Sequence, residues 1–297
     1  MLKRLKKDWP LHVLLIPGLI ITAIFSYGPI YGLIMAFQDF NPAHGFWGSP
    51  WVGLDNFRWI FAEAQFQRAL YNTFFISLMK IFLRTLVPVV FALLLNEIRR
   101  SFVKRTFQTI IYIPNFISWV ILAGIFMTIL GSRGIVNTTL GMVGLGPIDF
   151  LTNPRTFPWT MIWTDVWRHF GFGTVVYLAT IVSIDPGLYE SAVMDGAGRW
   201  KQTIKVTLPL MAPIIILMTV LALGNVLDAG FDQIFNLYSP SVFETGDIIQ
   251  TYVFRVGLHG ANFAVGATVG LFNSVVSLIL MLMALFIAYK VANYKVF

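Results

Sequence analysis

The 297-residue chain contains no cysteine, which excludes a disulfide framework and any thiolate metal site. Charge is scarce too. Only 12% of residues are Asp, Glu, Lys or Arg, against 57% hydrophobic, and mean hydropathy is +0.74, far from the balance of a soluble domain. No G-x-x-x-x-G-K-[ST] phosphate loop occurs, so this chain does not hydrolyse ATP by that chemistry. H-E-x-x-H is also missing, and the four histidines, His12, His44, His169 and His259, fall in different segments. Nothing here points to an enzyme, a metal site or a cofactor.

Long apolar runs fill the space that charge leaves. Six of them are long enough to cross a bilayer, at about 20 residues each: 11–37, 70–96, 108–130, 157–183, 209–229 and 263–289. The net charge of +7 would suggest nucleic acid in a soluble protein, but its distribution points to a membrane. Segments on one side carry Lys3, Arg4, Lys6, Lys7, Arg99, Arg100, Lys104, Arg105, Arg199, Lys201, Lys205, Lys290 and Lys295. The other side carries Arg58, Arg68, Arg133, Arg155 and Arg255 over more loop. The positive-inside rule then puts both termini, and residues 190–209, in the cytoplasm. The run after KRLKKDW continues to about Phe37 without a cleavage pattern, so it reads as an uncleaved first span.

The stretch ESAVMDGAGRWKQTIKVTLP, residues 190–209, is polar and basic between two apolar runs. Asp185 and Pro186 just before it form an N-cap and first helical position, which predicts a short helix toward Met194. Gly196 and Gly198 then supply positive φ for its end, and a second piece, Arg199 to Val206, stops before Pro209. On residue types alone the stretch is either a docking elbow or a solvated connection. Its spacing decides: Glu190, Ser191, Ala192, three residues, Gly196, nine residues, Val206, one residue, Leu208 and Pro209. This resembles the EAA loop of permease subunits in ATP-binding-cassette (ABC) importers, with Ser191 in place of one Ala and Val206 in place of Ile.

The resemblance implies an all-α polytopic membrane protein, a six-helix type I ABC importer transmembrane domain. Residues 1–69 would be a tail, first span and external loop, and 70–290 the transmembrane domain with its coupling loop at 185–209. Residues 291–297 would form a second tail. Glu190, Ser191, Ala192, Asp195, Gly196, Ala197, Val206, Leu208 and Pro209 would meet a partner ATPase that binds ATP and Mg. The segments SYGPIYG, SPWVGLDNF and LLLNEI extend the likeness to the LplB-like, maltose/oligosaccharide-type permeases. That implies two ATPase subunits, a second homologous permease, an extracellular or lipid-anchored binding protein, and an oligosaccharide cargo crossing a bacterial plasma membrane. An ion-coupled secondary transporter of a polar solute is the alternative, although no internal repeat of the kind such folds often show is evident.

Polar residues inside the spans are the remaining candidates. Asp165, Arg168, His169 and Phe172 fall at i, i+3, i+4 and i+7 and so share one helix face. Such groups avoid lipid. They either form an internal ion pair, Asp165 with Arg168 or His169, or line a cavity where they offer a sugar donors, acceptors and a stacking face. The positions match those at which maltose-type permeases line the sugar site. Asn225 and Asp228, three apart near the end of the fifth span, either join that cavity or cap an early helix end. Lys80 and Arg84 share a face of the second span and either snorkel or face a wet cavity, with no carboxylate partner named by the sequence. Asp247, Tyr252 and Arg255 are candidates for meeting the binding protein.

Overall fold

The structure, a computed structural model, describes residues 9–292. The basic residues Lys3, Arg4, Lys6, Lys7 and Lys295 lie outside the described residues, as does most of the expected 291–297 tail. Among the described residues five helices are long and apolar enough to cross a membrane: His12–Phe37, Ala64–Asn96, Trp119–Met142, Arg199–Leu223 and Phe263–Phe286. The bent pair Phe157–Val182 and Pro186–Met194, at 67°, makes a sixth. They are called the first to sixth spans in chain order, with Phe157–Val182 the fourth.

Two expected boundaries move for local reasons. The third span does not run through 108–130. A helix Ser101–Tyr112 ends in a 3-10 turn, Ile113–Phe116, and a new helix starts at Trp119. Pro114 disfavours continuation, and the Ser118 hydroxyl caps the new helix by accepting the Ile121 N–H at 3.4 Å. The fifth helix ends at Leu223, not near 229, and Gly224 leads into a turn. The second span runs through Pro88 without interruption, from Ala64 to Asn96.

The chain forms two compact units, one of residues up to Glu63 with Val253–Asn273, the other of Ala64–Tyr252 with the residues from Ser274. In the first, the VGLDNF stretch folds back on the end of the first span. Val52 N–H donates to Phe37 O at 2.9 Å, and Asn56 Nδ2 donates to the Ala36 and Gln38 carbonyls at 3.0 and 2.9 Å. Phe37 stacks on Trp51 at 5.6 Å between centroids.

In the second unit the second and fourth spans pack along their length. One apolar cluster gathers Ile76, Phe157, Met161, Ile162, Ile234 and Ile248; another gathers Val89, Ala92, Tyr177, Leu178, Ile181 and Met211. Between them on both spans lies a polar layer. Gly173 makes the close approach possible, since a Cβ there would sit 2.9 Å from Pro88 Cγ, and Gly171 does the same toward the helix Ser101–Tyr112, at the Ile111 carbonyl oxygen.

Candidate functional site

The bend between the fourth span and Pro186–Met194 builds the elbow. Asp185 is the N-cap, its Oδ1 accepting the Gly187 N–H at 2.9 Å, with Pro186 at the first helical position. The helix closes in a Schellman arrangement: Ala197 N–H donates to Ala192 O at 2.8 Å and Gly196 N–H to Val193 O at 2.9 Å. Gly196 takes φ +74, as its position requires. Gly198 does not; at φ −67 and ψ 167 it is extended and starts the next helix.

The second piece also differs from expectation. Arg199–Gln202 passes through a π turn, Thr203–Thr207, straight into Leu208–Leu223, so Pro209 lies within a continuing helix. The wider turn, with Leu208 N–H bonded to Thr203 O, relieves the clash a proline ring makes with the carbonyl four residues back. Glu190, Ser191, Asp195, Gly196 and Pro209 are exposed, and Ala192, Ala197, Val206 and Leu208 are half-buried. Met194 and Trp200, which the sequence reading passed over, are 86% and 75% exposed on the same elbow. Arg199 Nη1 reaches Glu97 Oε2, at the end of the second span, at 3.1 Å, and Tyr189 Oη lies 3.0 Å from Thr207 Oγ1. These residues line a groove of about 220 Å³.

The polar layer corrects one of the two expected pairings and keeps the other, His169 Nδ1 lying 3.6 Å from Asp165 Oδ1. Asp165, buried to 1% exposure, does not turn to Arg168. Arg84 Nε donates to its Oδ2 at 2.5 Å and Arg84 Nη2 to its Oδ1 at 2.6 Å, while Lys80 Nζ lies 3.6 Å from Oδ1. The carboxylate partner of the two second-span cations therefore comes from the fourth span. Arg168 stands over the Trp119 ring instead, at 4.8 Å from its centroid. His169 Nδ1 is 2.9 Å from the Asp165 carbonyl oxygen and 3.0 Å from Arg84 Nη2, and as one nitrogen it either donates to the first or accepts from the second. Phe172, on the same stripe, is 53% exposed.

Lys80 is held from a third direction. Its Nζ donates to Ala229 O at 2.7 Å and Gln233 Oε1 at 2.5 Å, and Gln233 Nε2 donates to Met161 O and Thr164 Oγ1 at 2.8 and 2.7 Å. It is a buried, satisfied ammonium, not a snorkelling one. Asn225 and Asp228 sit in the turn after the fifth helix and not on a helical face, with Asp228 Oδ1 accepting the Gly230 N–H at 3.1 Å. They line a cavity of about 320 Å³ with Ser77, Lys80 and Arg84; Asp165, Arg168, His169 and Phe172 do not. Asp247 and Tyr252 are buried, so neither offers a surface to a binding protein. Among the described residues no group of three or more His, Asp or Glu is placed to hold a metal ion.

The fourth span thus carries a buried polar layer along its length and a bent, capped elbow at its end. Residues 84–293 match the family of the binding-protein-dependent transport system inner membrane component. The chain belongs to this family. Protein LplB of Bacillus subtilis (strain 168) is 37% identical over 287 residues, 96% of this chain and 90% of that protein. The polygalacturonan/rhamnogalacturonan transport system permease protein YteP of the same organism is 38% identical over 275 residues, 92% and 86% of the two chains. A bacterial ABC transporter involved in import of the acidic polysaccharide alginate contains a chain 40% identical, with a TM-score of 0.90 over 97% of this chain and 98% of that one. The bacterial alginate transporter in complex with an alginate pentasaccharide-bound periplasmic protein gives 39% and 0.91 over 100% and 99%. The permease is thus a multi-pass subunit of an ABC importer, and the ion-coupled alternative falls away.

Proposed function

We propose that this permease imports an oligosaccharide across a bacterial plasma membrane, working with a second homologous permease and two ATPase subunits. An extracellular binding protein delivers the cargo. ATP and Mg bind to the partner ATPase, not to this chain, and closure of the two ATPase subunits moves the elbow at residues 185–209. The fourth and fifth spans lead directly into and out of that elbow, so its movement opens the polar cavity to one side and then the other. The cargo class is supported by the sugar transport named for YteP and for the alginate transporter.

The observation that carries the reading is the elbow itself: a capped helix bent 67° from the fourth span, closed at Gly196, with Met194 and Trp200 exposed for a partner to cover. The test is reconstitution in liposomes with the neighbouring permease, ATPase and binding protein. Oligosaccharide uptake that requires ATP and the binding protein is expected. Uptake driven by an ion gradient without ATP would overturn the reading.

A further inference from the structure

The 320 Å³ cavity has features that the coupling function leaves unexplained. Ser77, Lys80, Arg84, Asn225 and Asp228 give it a polar lining. Arg84 is fixed in plane by the two bonds from Nε and Nη2 to Asp165, and its side chain remains 41% exposed. Its Nη1 has no acceptor among the described residues. Lys80 lies one turn away on the same lining, its ammonium already engaged. The two cations share one buried carboxylate, Asp165, which stands behind Arg84, and the acid on the lining, Asp228, is exposed.

We infer that this cavity is a subsite for one acidic sugar residue, whose carboxylate meets the outer edge of Arg84 while Asn225 and Asp228 meet its hydroxyls. A planar guanidinium held from behind presents fixed donors that match a carboxylate. A neutral sugar would offer the outer edge of Arg84 no charged acceptor inside the bundle, where charge is poorly solvated. The volume, near the lower end of small-molecule sites at roughly 300–1,000 Å³, suits one sugar unit of a longer chain. Asp165 becomes a positioning residue, and the second span, which periodicity did not single out for cargo, supplies the selective contact.

This inference rests on the proposed import of oligosaccharides, and the test separates the two. The assembled transporter in liposomes is given a uronate oligosaccharide or its carboxyl-reduced, neutral counterpart of the same length and linkage. The acidic form is expected to show an apparent KM about tenfold lower or better, as a charge-assisted bond predicts. Arg84→Gln with Asp165→Asn, which removes both charges of the pair, should bring the two forms within about twofold. Equal KM for the two forms in the wild type, or an undiminished preference in the assembled double variant, overturns the inference while leaving the importer intact. Uptake of neither form counts against the oligosaccharide reading, and this inference falls with it. The wild-type comparison needs no variant, so a double variant that fails to assemble still leaves a decision.

Discussion

Arg84 and Asp165, 81 positions apart in the chain, form a two-point pair in which both carboxylate oxygens receive a guanidinium N–H, at 2.5 and 2.6 Å. The pair joins the second span to the fourth. Because Asp165 is buried, removing its charge alone deprives Arg84 and Lys80 of the buried counter-charge they share.

Asp165→Asn is therefore expected to lose about 3–5 kcal/mol of stability, with poor recovery of the purified complex. Arg84→Gln combined with Asp165→Asn should lose clearly less than the sum of the single losses. Thermal unfolding in detergent measures both, and strictly additive losses would show that the pair is not energetically coupled.

Replacing Gly196 by Leu should damage coupling without damaging insertion. The left-handed φ of +74 costs a side chain about 1–2 kcal/mol, yet no atom lies within 4 Å of the new Cβ, so the effect stays in the turn. Loss of uptake and of retained ATPase subunit at normal membrane levels is expected. Wild-type uptake and retention would dissociate this turn from the motor.

The absence of cysteine makes orientation directly readable. Trp47→Cys and Thr152→Cys, both at exposed positions, should react with an impermeant thiol reagent on intact cells, and Lys201→Cys only after the membrane is opened. Outside labelling at position 201 would reverse the topology and remove the elbow from any cytoplasmic partner.

Gly171→Ala should be far more harmful than Gly124→Ala. The first methyl would meet the Ile111 carbonyl oxygen at 2.0 Å and force two helices apart, at about 1–3 kcal/mol or more; the second meets nothing within 4 Å. Assembly yield compares them, and equal tolerance would mean that the Ile111 contact gives way freely.

The elbow was legible in the sequence because its determinants are local: an Asx cap, a proline and a glycine at fixed offsets. The number of spans was legible for the same reason. The partner of Asp165 was not, since helix periodicity puts Arg168 and His169 on its face but cannot say that Arg84 arrives from another helix with a better approach. Lys80 and Arg84 did carry a signal, two cations one turn apart in an apolar run, yet only the fold names what they face. The early end of the fifth helix was marked by Gly224, a helix-stopping residue that hydrophobicity alone overrides. Pro209 misled because a proline normally ends a helix, and the π turn ahead of it is a tertiary accommodation.

That π turn has a consequence of phase. Each residue advances an α-helix by about 100°, so the single residue absorbed at Thr203–Thr207 sets the rotation of everything beyond it relative to Arg199. With it, Met211 and Val220 point into their apolar clusters while Arg199 meets Glu97. The fifth span behaves as a shaft keyed to the elbow at one angular setting. The same continuous helix ends at Leu223, one residue before the turn that carries Asn225 to the cavity.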